Sequence, residues 1–148
     1  MNVSWKNEAV RRFPEFADRF EKWKNPYLLW FDLRDAFEEA YGRLPLDDDL
    51  IGRIYGFAEW FSKQPSGMTA EDDLPTCVAV CFYEHVPESP AALKDMPRWL
   101  PRSAVLEMRE VLSYHAGEEG FRNVLEAFDE YREKVVKKFS RKGKRKRR

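Results

Sequence analysis

The sequence predicts an all-α protein with a single domain, built as an orthogonal helical bundle or a short irregular helical solenoid of about six to seven helices. Three observations support this fold class. Apolar residues recur at spacings of three and four along most of the chain. Capping residues and first-turn prolines mark several helix starts. Hydrophobic residues make up 43% of the 148 residues, which argues against disorder and suffices for a core.

The first helical segments are predicted from Ser4 and Pro14. Ser4 can cap a helix, and Pro14 suits a first helical position, so it restarts or kinks the chain into residues 15–24. Aromatic residues recur there every three or four positions, and we expect this stripe to face the core. Its members are Phe13, Phe16, Phe20 and Trp23.

The next predicted helix has well-marked ends. Asn25 supplies a cap, Pro26 suits the first turn, and the helix extends to about Arg43 with Gly42 as a stop signal. The residues expected to face inward are Leu29, Leu33, Phe37, Ala40 and Tyr41.

A third helix is predicted to open at Asp47, Asp48 and Asp49, because carboxylates at a helix start accept hydrogen bonds from unpaired amides. Gly52 and Gly56 lie four apart within it, and each costs about 1 kcal/mol of helix propensity relative to alanine. That cost indicates a closely packed neighbour. Its core face is predicted to contain Leu50, Ile54, Phe57, Ala58 and Phe61.

Residues 74–86 form the one ambiguous element, because the apolar run from Cys77 to Tyr83 could be a buried strand. Its length of about 12 residues, the acidic residues before it and Pro75 in the first turn favour a helix. No second strand is predicted for it to pair with. We therefore expect a helix buried in the middle of the fold.

The last part of the chain is predicted to contain a short helix from Pro90 and two longer helices. One covers residues 102–115 and ends at Gly117, and the other starts near Glu118. Apolar residues of the final helix follow spacings of 3, 4, 3 and 4, which is typical of a coiled-coil-like seam. The seam consists of Phe121, Val124, Phe128, Tyr131 and Val135. The predicted domain covers residues 1–139, followed by a basic, disordered tail over 140–148.

The net charge of zero conceals a division along the chain. Residues 1–130 hold 15 basic and 25 acidic residues, whereas residues 131–148 hold 11 basic and 1 acidic residue. An acidic body with a basic tail indicates an interaction function, because fields of opposite sign attract different partners. The two cysteines and the lack of a long apolar run predict a cytoplasmic protein without a membrane partner.

The residues also allow the hypothesis of a catalytic or metal-binding site. Cys77, Cys81 and His85 are spaced four apart on one helix, and His115 could add a fourth zinc ligand. Glu84, His85 and His115 could also supply acid and base groups. The same residues can instead have a purely structural role, as buried thiols and hydrogen-bonded polar side chains. We favour this explanation and expect no cofactor, because the known nucleotide, metalloprotease and hydrolase motifs are missing from the sequence.

Acidic clusters and one tryptophan are the candidate residues for binding a protein partner. The clusters are Asp47, Asp48 and Asp49 and then Glu71, Asp72 and Asp73, both at predicted helix starts, where capping is the first explanation. Trp99 lies in a proline-rich stretch and could anchor a partner, although it could equally fill the core.

The basic tail is the candidate site for nucleic acid. Clustered cations can neutralise phosphates without reading sequence, and the tail carries no aromatic residue for base stacking. A solvated tail lying against its own acidic body is the alternative. The candidate residues are Arg141, Lys142, Lys144, Arg145, Lys146, Arg147 and Arg148.

Three stretches of the sequence resemble an uncharacterised bacterial family of small all-helical domains of unknown function. They are residues 54–60 (Ile-Tyr-Gly-Phe-Ala-Glu-Trp), residues 82–85 (Phe-Tyr-Glu-His) and residues 99–101 (Trp-Leu-Pro). The resemblance implies a helical fold in a bacterial cytosol and carries no catalytic or binding residue.

The preferred hypothesis is a non-enzymatic interaction module, of the immunity or adaptor type, whose acidic body binds a basic protein surface. The first alternative is a nucleic-acid-associated protein that uses the tail. The second is an enzyme or metal site around Cys77, Cys81, Glu84, His85 and His115.

Overall fold

The computed structural model describes residues 4–146, with side chains as far as Arg141, and this part of the chain is helical without a strand. The predicted all-α fold class is confirmed. The described residues form seven α-helices and three 3₁₀ segments, slightly more than predicted. They divide into two compact units after His85.

The first unit contains four α-helices. They are α1 (Trp5–Arg12), α2 (Pro26–Gly42), α3 (Asp48–Ser62) and α4 (Leu74–Cys81), with a 3₁₀ segment Pro14–Lys22 between α1 and α2. Asn25, Asp47 and Asp73 cap α2, α3 and α4, each accepting a hydrogen bond from a first-turn amide. Ser4 precedes α1 but makes no side-chain capping bond.

Aromatic rings fill the core of the first unit, where α2, α3 and α4 pack on one another. The Trp30 ring lies 5.5 Å from Phe57, 5.4 Å from Phe61 and 5.3 Å from Phe82, between ring centroids. These offset and edge contacts suit the quadrupoles of the rings. The close neighbour predicted for Gly56 is Arg12, whose Nη1 would lie 3.3 Å from an added Cβ.

The ambiguous element is a helix, as predicted, but it ends at Cys81. Phe82 has the non-helical angles φ −122° and ψ −67°, and the chain continues as a 3₁₀ segment, Tyr83–Glu88. Pro87 lies inside that segment and lacks the N–H that a longer α-helix would need.

The second unit contains α5 (Pro90–Asp95), a 3₁₀ turn Met96–Arg98, α6 (Arg102–Glu107) and α7 (Arg109–Lys146). The predicted helix over residues 102–115 is broken at Met108, whose angles are φ −95° and ψ 20°. Gly117 interrupts α7 with φ 73°, so the predicted stop at this glycine is present. Residues of α5, the 3₁₀ turn and α6 pack on α7.

The C-terminal end of α7 continues through position 140 to Lys146. Arg147 and Arg148, and the side chains of Lys142, Lys144, Arg145 and Lys146, lie outside the described residues. The predicted division into a 1–139 domain and a disordered tail stays a prediction.

Candidate protein-binding face on the second helix

Helix α2 has two faces of different character. Its inner face buries Leu29, Trp30, Leu33, Phe37 and Ala40 against the neighbouring helices α3 and α4. Because burial of these side chains fixes the rotation of the helix, the residues on the opposite face are held towards solvent.

The outer face of α2 combines apolar and acidic side chains. Leu28 is 41% exposed and Phe31 is 50% exposed, while the carboxylates farther along the helix are also exposed. Spacings of three, four, three and one place these residues within roughly a third of the helix circumference. We call this surface the acidic α2 face, and its members are Leu28, Phe31, Asp35, Glu38 and Glu39.

Within the described residues, no ion pair neutralises the negative charge of the acidic α2 face. Within residues 4–141, no ion pair involves Asp35, Glu38 or Glu39. Asp32, beside this face, differs because its Oδ2 accepts a hydrogen bond of 2.6 Å from Nε1 of Trp23. Three neighbouring carboxylates without an ion-pair partner repel one another and leave a field that attracts positive charge.

The first predicted acidic cluster is occupied by local contacts. Asp47 accepts a hydrogen bond of 3.2 Å from the amide of Leu50 and one of 3.0 Å from Arg43. Asp49 accepts a hydrogen bond of 2.9 Å from Arg53, and Asp48 is exposed in the first turn of α3. The structure therefore places this cluster at a helix start, where capping and ion pairing engage Asp47 and Asp49.

The second predicted acidic cluster borders a cleft of about 410 Å³ in the first unit, lined in part by Trp5, Glu71 and Asp72. Asp72 accepts a hydrogen bond of 2.9 Å from the Thr69 hydroxyl. Asp73 caps α4 through Thr76, whose hydroxyl donates to it at 2.7 Å. Glu71 and Asp72 are both exposed at the rim of the cleft.

Trp99 lies in the second unit and is half-buried. Its Nε1 donates a hydrogen bond of 3.0 Å to Asp95, and the guanidinium of Arg98 lies 5.0 Å from the ring centroid. These contacts hold the indole against its own unit, and a role as a partner anchor stays a prediction.

The predicted thiol pair is buried on α4. Cys77 and Cys81 are both free thiols, one helical turn apart. A hydrogen bond between the two thiols and then burial raise the pKa of Cys77 well above the ordinary thiol range. The same hydrogen bond, followed by the charge of Arg34, lowers the pKa of Cys81. The arrangement stabilises one protonated thiol and one thiol that ionises more readily.

The remaining catalytic and metal candidates belong to different units. Glu84 is buried and His85 is half-buried in the first unit, directly after α4, whereas His115 is exposed on α7 in the second. The hypothesis of an enzyme or metal site stays a prediction. Among the described tail candidates, Arg141 is exposed.

The sequence correctly predicted Leu29, Leu33, Phe37 and Ala40 as buried residues of α2, but the half-buried Tyr41 was expected to face inward and the buried Trp30 was missed. The acidic α2 face was also not predicted. A signal was present, because Leu28 and Phe31 are apolar yet do not belong to the inward series of Leu29, Leu33 and Phe37. Apolar residues outside the core-facing series of a helix indicate either a second packing partner or an exposed apolar surface.

No protein-family model, curated protein or solved structure matches this chain. Among the described residues, no helix combines the length and apolar character needed to cross a bilayer.

Proposed function

We propose that this protein is a non-enzymatic interaction module, of the immunity or adaptor type, and that the acidic α2 face binds a basic surface on a partner protein. The observation that carries the proposal is the combination of exposed Leu28 and Phe31 with the uncompensated carboxylates of Asp35, Glu38 and Glu39.

The two parts of this face have complementary roles in binding. Phe31 and Leu28 offer apolar area at one end of α2, and covering that area supplies binding free energy. Glu38 and Glu39 lie nearer the other end, where they accelerate encounter with a cationic surface and disfavour acidic partners. A partner helix with apolar and basic residues in series fits this order of side chains.

The rigidity of α2 also supports this proposal. The helix is capped by Asn25, which accepts a hydrogen bond of 3.0 Å from the amide of Leu28, and its inner face is buried in the aromatic core. A preformed helix face loses little conformational entropy when a partner binds. The two free thiols are consistent with the reducing cytoplasm that we propose as its location.

The proposal is tested by charge reversal on α2. Intact protein is titrated with a synthetic amphipathic helical peptide that carries leucine on one face and lysine and arginine beside it, and affinity is measured calorimetrically over a range of salt concentrations. We expect Glu38→Lys/Glu39→Lys to weaken binding by at least about tenfold. Phe31→Ser should also weaken binding, but it should change the salt dependence of the affinity less than the charge reversal does.

The matched control is Asp18→Lys/Glu21→Lys, which reverses two exposed carboxylates in the Pro14–Lys22 segment of the same unit. This variant should bind the peptide nearly as well as the wild-type protein. Equal weakening by both double variants would mean that net charge alone governs binding, and the proposed face would be wrong. A partner isolated from the native cell should show the same discrimination when purified and titrated.

A further inference from the structure

The apolar seam of α7 is buried in the earlier part of the helix and becomes exposed towards its C-terminal end. Phe128 is buried, Tyr131 is 38% exposed, and Phe139 is 72% exposed. Val135 lies between Tyr131 and Phe139 and is half-buried. Because these three residues are spaced four apart, they form one strip along the helix. Val136, 59% exposed, widens the strip on one side. The described end of α7 thus presents an apolar strip that its own unit leaves open.

Cations border this strip on both sides. Helical spacing places Lys134 and Lys138 along one edge and Arg132 along the other, and all three are exposed. Within residues 4–141, none of them forms an ion pair. Glu133 is the one carboxylate between residues 131 and 141, and it lies on the side of the helix opposite the strip.

This arrangement suits an anionic lipid surface. A helix lying in the plane of a bilayer immerses its apolar strip at the boundary between headgroups and acyl chains, while flanking lysines and arginines reach the headgroup phosphates. Anionic lipids also attract clustered basic residues at the membrane surface. Aromatic residues such as Tyr131 and Phe139 are suited to the interfacial region.

Binding to nucleic acid would account for fewer of these features than binding to anionic lipid. Phosphate neutralisation accounts for the cations, but it leaves the aliphatic side chains of Val135 and Val136 without a contact. Base stacking uses aromatic rings on a groove that follows the strand, whereas here the rings form a narrow strip with aliphatic neighbours.

We propose that the end of α7, residues 131–141, binds the surface of a bilayer containing anionic lipids. The strip of Tyr131, Val135 and Phe139 contacts the acyl boundary, and Arg132, Lys134 and Lys138 contact the headgroups. This contact needs no spanning helix. Because residues 1–130 carry ten more acidic than basic residues, anionic lipids repel the rest of the chain and the contact is restricted to the basic end.

The test uses the full chain and sedimentation with two kinds of vesicle, one of phosphatidylcholine alone and one with about a third phosphatidylglycerol. The protein should cosediment with the anionic vesicles and remain in solution with the neutral ones. Phe139→Ser should reduce the partition coefficient by about tenfold, because it removes the most exposed aromatic side chain of the strip. Lys134→Glu/Lys138→Glu should abolish the preference for anionic lipid.

The control variant is Leu106→Ser, which removes an apolar side chain that is 51% exposed on α6 and should leave vesicle binding unchanged. A parallel titration with single-stranded oligonucleotide separates lipid from nucleic acid. The proposal is overturned by absence of binding to anionic vesicles, by equal effects of Phe139→Ser and Leu106→Ser, or by oligonucleotide binding that exceeds vesicle binding. All variants alter exposed residues, and circular dichroism verifies that each one folds.

Discussion

Arg53 donates two hydrogen bonds to the carboxylate of Glu15, both 2.7 Å long, across 38 positions of sequence. The same guanidinium bonds Asp49 at 2.9 Å and the carbonyl oxygen of Arg12 at 2.9 Å, and it lies over the ring of Phe13. One side chain on α3 thereby holds α1 and the following 3₁₀ segment. The hydrogen bonds from Arg53 lower the pKa of Glu15, so this carboxylate stays ionised.

Replacing Arg53 should destabilise the first unit. We expect Arg53→Ala to lower the free energy of unfolding by about 1–2 kcal/mol, because a partly exposed bidentate pair is lost along with the bond to Arg12. Arg53→Lys should recover only part of this loss, since lysine lacks the planar fork. Urea denaturation measures the effect, and Lys63→Ala, which breaks an exposed pair with Glu59, is the control. An effect of Arg53→Ala no larger than that of Lys63→Ala would show that the Arg53 contacts do not stabilise the fold.

Glu8 should make the protein sensitive to acid. This buried carboxylate accepts hydrogen bonds from Arg11 and, at 2.9 Å, from Arg12. The hydrogen bond from Arg11 is the main cause of a pKa below the ordinary value of 4.5. A lowered pKa in the folded state means that ionised Glu8 stabilises the protein above the unfolded pKa, and that this contribution is lost as the pH falls through the folded pKa.

Glu8→Gln should therefore be less stable than the wild-type protein at neutral pH, by about 1–2 kcal/mol. The difference should shrink as the pH falls below about 4.5. Thermal unfolding at a series of pH values measures it, with Glu21→Gln as an exposed control. A constant difference at every pH would contradict the assigned role of the Glu8 charge.

The parts of the fold that could be predicted from sequence are those that local rules determine. Asn25, Asp47 and Asp73 cap helices at the expected places, and Gly117 interrupts the last helix, because caps and positive φ depend on neighbouring residues alone. The end of α4 at Cys81 could not be predicted, since Phe82 leaves helical geometry while packing into the aromatic core. Tertiary contacts decided that boundary.

The candidate site was less predictable than the fold. The acidic residues that stand together in sequence, Asp47 to Asp49, are the ones that capping and Arg53 occupy. Asp35, Glu38 and Glu39 are dispersed in sequence and become a cluster only through the rotation of α2. Proximity in sequence therefore drew attention to Asp47–Asp49, whose role in partner binding stays a prediction, and did not reveal the acidic α2 face.

Two substitutions of Asp47 distinguish a capping role from a role in partner binding. We expect Asp47→Ala to lower the free energy of unfolding by about 1 kcal/mol, because the amide of Leu50 loses its acceptor. Asp47→Asn should stay close to the wild-type protein in stability, since asparagine caps equally well and the pair with exposed Arg43 contributes little. Both variants should bind the basic peptide like the wild-type protein. Weakened binding by Asp47→Asn in calorimetry would instead support the predicted role of this cluster in partner recognition.

The two buried thiols should differ in reactivity. The hydrogen bond from Cys77 and the charge of Arg34 lower the pKa of Cys81, whereas the same hydrogen bond and burial raise that of Cys77. Since the thiolate is the nucleophile, iodoacetamide should label Cys81 first in the native protein, slowly because the thiol is buried. Mass spectrometry of digested samples locates the label. Arg34→Gln should slow labelling of Cys81 without changing the rate in denaturant, where both thiols react alike. Equal labelling of the two cysteines in the native state would contradict this assignment.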